Sequence, residues 1–131
     1  LAEAELESGW RRVESWAPDD GTGTRAGFVR VPMLVAEKPG AVLRFAFEGT
    51  AVGLFVAAGR DAGTVAYSVD GGPEREQDLF TQWSPDLHLP WAYVLDADLD
   101  PGPHELVLRI ADEKNPESAG HAVRIAHFLV N

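Results

Sequence analysis

The chain contains no cysteine. Disulfide bonds, zinc–thiolate sites and thiol nucleophiles are therefore excluded, and any core must form without a covalent cross-link. The chain has 131 residues, and 45% of them are apolar. One domain of this length can bury a core of that kind, whereas two domains would be small.

Basic residues are also scarce. Lys and Arg number 11 against 21 Asp and Glu, which gives a formal net charge of −10. A surface this acidic repels phosphate backbones and anionic lipid, so we expect no nucleic acid and no membrane as partner. No apolar run reaches the roughly 18 residues of a membrane span. The chain begins at Leu1, so we expect it to be processed or excised from a larger protein, and cytoplasm and secretion both stay open.

Short apolar runs with a period of two fill the chain after residue 9. Residues 41–48 alternate, with Leu43, Phe45 and Phe47 on one face, which is typical of a half-buried strand. Residues 51–58 are apolar on both faces, which suits a central strand that is covered on both sides. Further strands are predicted at 28–35, 64–70, 92–95, 105–111 and 122–130.

Seven to nine short strands with glycine and proline turns between them predict an all-β fold, an antiparallel β-sandwich. We favour a galactose-binding-like jelly roll, and an immunoglobulin-like sandwich stays open. The sandwich is expected over residues 10–131. Residues 1–9 are expected to be a helical turn, a linker or an N-terminal extension, and Trp10 and Trp16 to pack this segment onto the sheet.

The sequence offers no set of catalytic residues. None of the five serines lies in a nucleophile motif, and no Asp-x-x-His pair supplies an acid and a base. Ser84, Asp86 and His88 lie close together, but they alternate along one extended segment, unlike a triad assembled from separate loops. We therefore predict that the chain is not an enzyme.

The four histidines lack metal-ligand spacing. His104 follows a Pro-Gly-Pro turn and is expected to brace it, and His127 is expected to be a core histidine. We expect no cofactor, although carboxylates in loops keep a structural calcium ion open. The candidate calcium ligands are Asp19, Asp20, Asp61 and Asp112.

Two loop-rich segments, residues 77–91 and 112–120, are long enough to be functional. In and just after the first, Trp83, Trp91 and Tyr93 lie around Asp86 and His88. Flat aromatic faces beside polar groups suit sugar binding, because the rings stack on sugar C–H groups while the polar groups hold the hydroxyls. The same residues would suit a protein interface or cap the end of the sandwich, and all three readings stay open.

Several segments, in order, resemble the β-sandwich accessory domains of bacterial SGNH/GDSL-type hydrolases. The resemblance covers residues 10–131. The segments that carry it are 47–54 (FEGTAVGL), 58–63 (AGRDAG), 67–72 (YSVDGG), 78–84 (DLFTQWS), 87–91 (LHLPW) and 124–131 (RIAHFLVN).

The resemblance implies a C-terminal jelly-roll domain that supports an esterase whose catalytic residues lie in a separate domain. The leading hypothesis is a non-catalytic carbohydrate-binding or substrate-positioning module of a carbohydrate esterase. The alternative is a structural domain that docks on the SGNH catalytic domain or dimerises. The expected ligand-binding residues are Trp83, Asp86, His88, Trp91, Tyr93, Arg60 and Asp61, and Lys114 and Asn115 could join them.

Overall fold

The computed structural model describes residues 4–17, 23–24, 31–81, 84 and 87–131, with the backbone alone described at 23–24 and 87–89. Two sheets pack face to face. The first sheet has the order β1 (Ala4–Ser8), β5 (Val42–Glu48), β10 (Pro103–Ile110), β7 (Thr64–Val69) and β8 (Arg75–Asp78). The second has the order β2 (Arg11–Trp16), β4 (Val31–Ala36), β11 (Val123–Val130), β6 (Val52–Ala58), β9 (Leu87–Asp96) and β3 (Gly23–Thr24).

The connections are those of a jelly roll. From β5 onward, each strand lies in the opposite sheet from the one before it, except for the β7–β8 hairpin. Among the described strands, all pairings are antiparallel apart from the two-residue contact of β3 with β9. The predicted all-β sandwich is therefore confirmed. The described residues include no helix long and apolar enough to cross a membrane.

The core lies between the sheets and follows the predicted alternation. Leu43, Phe45 and Phe47 of β5 are buried, and β6 is buried along both faces. Burial of each large apolar side chain in this way stabilises the folded state by roughly 1.5–3 kcal/mol. The largest fully buried side chains of this layer are Leu34, Leu43, Leu54, Leu79, Leu106, Leu108, Ile110 and Ile125.

The expectation of a helical turn or linker over residues 1–9 was wrong for Ala4–Ser8. These residues form β1, which pairs with β5 through Ala4–Phe45 and Leu6–Leu43. The residues AELES have a high helix propensity. They also fit an edge strand, in which Ala4 and Leu6 face the core and the glutamates face solvent. Trp10 and Trp16 are buried, as predicted.

His127 was expected in the core and is exposed. Ile125 pairs with Val56, but the register shifts before His127, which pairs with Phe55. A bulge of this kind reverses the alternation, so that His127 faces solvent while Phe128 packs on the core.

We call the two ends of the sandwich the loop end and the far end. The loop end carries the connections 59–63 and 111–122 and the segment 79–81 that follows β8, and the far end carries 49–51, 70–74 and 97–102. At the far end the predicted Asp-Gly turn joins β7 to β8. Asp70 and Gly71 both have positive φ, 53° and 73°, which is the conformation of a type I′ hairpin.

His104 braces the far end. Its Nδ1 lies 2.5 Å from the Asp70 carboxylate and its Nε2 lies 2.6 Å from the backbone oxygen of Asp100. Both partners only accept hydrogen bonds, so a ring with two N–H groups, the imidazolium, satisfies both. The hydrogen bonds to Asp70 and then to Asp100 raise the pKa of His104. The bond to His104 lowers the pKa of Asp70.

This brace predicts a pH-dependent stability. The contribution of His104 is complete below pH 6.5, its ordinary pKa, and is lost as the pH rises through the raised pKa. The contribution of Asp70 is complete above pH 3.8 and is lost as the pH falls through the lowered pKa. In thermal unfolding, the midpoint difference between the wild type and His104→Gln should therefore be largest between these two values and shrink at higher pH. His127→Gln, at an exposed histidine, is the control, and a His104→Gln difference that is constant with pH would contradict the prediction.

Candidate functional site

Three hydrogen bonds join two of the connections at the loop end, 59–63 and 111–122. The buried Ser118 hydroxyl donates a hydrogen bond to the backbone oxygen of Ala62 at 2.7 Å. The backbone N–H of Ala119 donates to the oxygen of Arg60 at 2.8 Å, and that of Ala122 to the oxygen of Asp61 at 2.8 Å. The turn that contains Arg60 and Asp61 therefore supports the loop before β11.

The two loop-rich segments singled out from the sequence also meet here. The Asn115 side-chain N–H donates to the Asp78 carboxylate at 2.9 Å. The other oxygen of Asp78 accepts from the backbone N–H of Phe80 at 2.9 Å, and the Asn115 side-chain oxygen accepts from the N–H of Glu117 at 2.9 Å. Both side chains are thus held in one orientation by partners on each side.

An open polar pocket of 330 Å³ lies at this contact. Its lining offers carboxylate acceptors, an amide and a hydroxyl. Lys114 in the lining also donates from Nζ to the backbone oxygen of Ser118 at 2.6 Å, which holds the side chain against its own loop. The lining residues are Thr64, Glu76, Asp78, Glu113, Lys114 and Asn115.

Tyr93 ties β9 to the segment that begins beside this pocket. Its hydroxyl donates to the backbone oxygen of Leu79 at 3.2 Å. Burial, with a smaller contribution from the Asp78 charge, raises the pKa of Tyr93 to about 12. The phenol therefore stays protonated and keeps donating through the physiological range.

Trp91 lies two residues before Tyr93 on β9, on the same face and nearer the loop end. It pairs with Val56, as Tyr93 pairs with Leu54, and alternate residues of a strand lie roughly 7 Å apart. Its side chain is 40% exposed, although it is a large aromatic ring. Trp91 thus offers a flat, partly exposed apolar surface near the loop end.

The structure does not bring Asp61 together with Trp91 and Tyr93. The Asp61 carboxylate makes two hydrogen bonds of 2.8 Å to the Arg124 guanidinium, which lies 5.5 Å from the centre of the Trp16 ring. These groups line a cleft of 380 Å³ on the outer face of the second sheet, whereas Trp91 and Tyr93 are on its inner face.

Of the remaining predicted residues, Trp83 and Asp86 lie outside the described residues, and only the backbone of His88, in β9, is described. Arg60 is exposed in its turn. Sequence reasoning gave Asp78 no role. Asp often accepts a hydrogen bond from the backbone N–H two residues later and so begins a turn. Asp78 does this with Phe80, and its residue type could have marked it in the sequence.

Ser84 acts as a structural brace. Its side chain is fully buried, and its oxygen accepts from the backbone N–H of Thr81 at 2.9 Å. The hydroxyl also contacts the oxygen of Ala58 at 3.4 Å. A group buried in this way does not present a nucleophile to a substrate.

Within the described ranges, no three His, Asp or Glu side chains are placed to share a metal ion. Of the calcium candidates, Asp61 pairs with Arg124 and Asp112 is exposed, while Asp19 and Asp20 lie outside those ranges.

No protein-family model and no curated protein matches the sequence. Solved structures share its fold. A two-domain esterase active on acetylated mannans is 12% identical with a TM-score of 0.60 over 95% of this chain. A family 35 carbohydrate binding module from Clostridium thermocellum is 17% identical with a TM-score of 0.59 over 98%. A Paenibacillus xanthan lyase is 18% identical with a TM-score of 0.61 over 95%.

The extent of these matches differs. The chain spans 91% of the binding module but only 34% of the esterase and 12% of the lyase. One sandwich of this kind therefore occurs both as nearly a whole chain and as one part of a larger enzyme.

The ion pair at the cleft yields a stability prediction. Arg124 is buried, so Asp61→Ala removes two hydrogen bonds from a buried guanidinium and should lower the free energy of unfolding by about 3 kcal/mol. The double variant Asp61→Ala with Arg124→Met should recover part of that loss, because an apolar side chain needs no carboxylate.

Chemical denaturation measures both effects. Glu37→Ala is the matched control, since it breaks the 2.6 Å pair with Arg11 in the same cleft, whose side chains are both more than half exposed. Glu37→Ala should lower the free energy of unfolding by less than about 1 kcal/mol. Equal losses for Asp61→Ala and Glu37→Ala would show that burial does not decide the strength of the Asp61 pair.

Proposed function

We propose that this chain is a non-catalytic carbohydrate-binding or substrate-positioning module of an SGNH-type carbohydrate esterase. The observation that carries the proposal is the exposed ring of Trp91 near the loop end, where a polar pocket also opens, in a sandwich that shares its fold with a carbohydrate binding module. Its likeness to one part of a two-domain esterase supports the accessory role.

Trp91 supplies the stacking surface. A sugar ring presents a face of C–H groups that packs on an indole ring, while its hydroxyls need polar partners. Asp78 and Asn115 fit that second role, because their mutual hydrogen bond and their backbone partners hold them in place before a ligand arrives. Such preorganisation lowers the ordering cost of binding.

The proposed site keeps Trp83, Asp86 and His88 on the sequence argument alone, since they lie between Asp78 and Trp91 in the sequence. Arg60 belongs to the turn that supports the loop before β11, and we keep it among the proposed ligand-binding residues. We propose Asp61 as an anchor of that turn, because Arg124 holds its carboxylate on the other face of the sheet.

Charge narrows the ligand class. The net charge of −10 disfavours polyanionic glycans, so we propose a neutral or acetylated polysaccharide. The similar esterase that acts on acetylated mannans supports this class.

Isothermal titration against mannan, acetylated mannan, cellulose and polygalacturonate oligosaccharides tests the proposal. We expect saturable binding to a neutral or acetylated glycan. Trp91→Ala should weaken it by about tenfold or more, a loss of about 1.4 kcal/mol, because it removes the stacking surface. Asn115→Ala should also weaken binding.

Two variants serve as controls. Asn131→Ala removes an exposed asparagine at the far end and is matched to Asn115→Ala, and Val107→Ala truncates a half-buried side chain on the other sheet. Both should bind as the wild type does. Absence of heat with every glycan would overturn the proposal. It would favour the alternative, in which the surface around Trp91 docks on the SGNH catalytic domain.

A further inference from the structure

The cleft on the outer face of the second sheet has no part in the function proposed above. Strands β2, β4 and β11 and the turn 59–63 each contribute side chains to its lining. Its volume of 380 Å³ lies within the roughly 300–1,000 Å³ of sites that bind small molecules. The sheet separates it from Trp91, which is on the inner face.

The buried ion pair of this cleft lies on an otherwise apolar face. Arg124 pairs across the sheet with Val35, a member of the outer cluster that also contains Trp16, Met33, Ala57 and Ala126. The Arg124 side chain is only 9% exposed. Replacement of a buried ion pair by apolar side chains is often neutral or stabilising. Stability alone therefore does not explain why this face carries a guanidinium that is held by a carboxylate.

An exposed ion pair lies in the same cleft. Arg11 Nη2 donates to Glu37 Oε1 at 2.6 Å, and both side chains are more than half exposed. This bond uses one of the five N–H groups of Arg11 and one of the two carboxylate oxygens of Glu37. Further donors and acceptors are thus available to a ligand in the cleft, and the exposed Ser15 adds a hydroxyl.

The balance of charge in the cleft indicates the class of ligand. The described lining carries two guanidinium groups and two carboxylates, and so has no net charge. An anion would meet the carboxylates, and a cation would meet the guanidinium groups. A hydroxyl group both accepts and donates, so it can bond to both members of an ion pair without separating them. Hydrogen bonds to charged groups are roughly twice as strong as those between neutral groups.

The apolar part of the lining suits the same ligand. Val13, Trp16 and Val35 contribute side chains beside the two ion pairs. A sugar ring has a face of C–H groups that packs on apolar side chains and an edge of hydroxyls that needs polar partners. The net charge of −10 does not repel such a molecule if it is neutral.

We propose that this cleft is a second glycan-binding site, which takes a neutral sugar unit between the Arg11–Glu37 and Asp61–Arg124 pairs. The hydroxyls of the sugar bond to Arg11 and Glu37, and its C–H face packs on Val13. The buried pair fixes the turn 59–63 against the sheet and so holds that side of the cleft in place. This site and the Trp91 site lie on opposite faces of the sheet, so each can bind without the other.

NMR titration of the whole chain tests the proposal through the four tryptophan indole N–H signals, each assigned by a Trp→Phe substitution. The probes are mannopentaose, cellopentaose and trigalacturonate. We expect a saturable shift of the Trp16 signal with at least one of the two neutral oligosaccharides and no shift with trigalacturonate. Arg11→Ala should raise the dissociation constant about tenfold, because it removes a hydrogen bond to a charged group. Trp91→Ala should leave the Trp16 response unchanged.

Two matched variants separate the cleft from the general effect of charge. Glu37→Ala should weaken the Trp16 response. Glu74→Ala should not, although it removes a similarly exposed carboxylate from the 2.7 Å pair with Arg109 in the first sheet. A Trp16 response that persists at full strength in both Arg11→Ala and Glu37→Ala would overturn the proposal.

The two proposed sites fail separately in this experiment. A shift confined to the Trp91 signal would overturn the second site and leave the Trp91 site standing. A shift confined to the Trp16 signal would do the reverse. A Trp16 response to trigalacturonate alone would overturn the neutral ligand, and no response of the Trp16 signal to any probe would overturn the site.

Discussion

Burial of β6 on both of its faces is the constraint on which the rest of the structure depends. Its inner residues complete the core between the sheets, and its backbone pairs with β11 on one side and β9 on the other. Because β9 is held in register through seven pairs with β6, Trp91 and Tyr93 reach the loop end on the inner face. The same strand leaves Gly53 at the bottom of an apolar groove at the far end.

The loop end is ordered by hydrogen bonds between segments that are distant in sequence. Ser118 bonds to Ala62, and Asn115 to Asp78, across 56 and 37 residues. Gly63 permits this closeness, because a Cβ there would lie 2.5 Å from the carbonyl oxygen of His121. The polar groups of the loop end are thus oriented by the scaffold, and such preorganisation lowers the ordering cost of the ligand binding proposed for it.

The sequence predicted the fold class and the central strands, because their period-two alternation is a local signal, clear at Leu43, Phe45 and Phe47. It did not predict β1, whose polar residues fit a helix as well as an edge strand, nor the outward turn of His127, which follows from a bulge. It could point to Trp91 and Tyr93 by residue type. It could not show that Asp61 bonds to Arg124 or that Asp78 bonds to Asn115. Both pairs join residues far apart in the sequence, so they depend on how the strands are arranged in the sandwich.

The order of the strands also has a consequence for how the chain folds. Apart from the β7–β8 hairpin, neighbouring strands in the sheets come from distant parts of the chain, so the contact order is high and folding in the millisecond-to-second range is expected. Strand β11 lies in the middle of the second sheet, between β4 and β6. During synthesis the β2–β4 pair and the β6–β9 pair can therefore join into one sheet only after β11 has been made, and until then β4 and β6 each keep an unpaired edge that is open to chaperones and to aggregation.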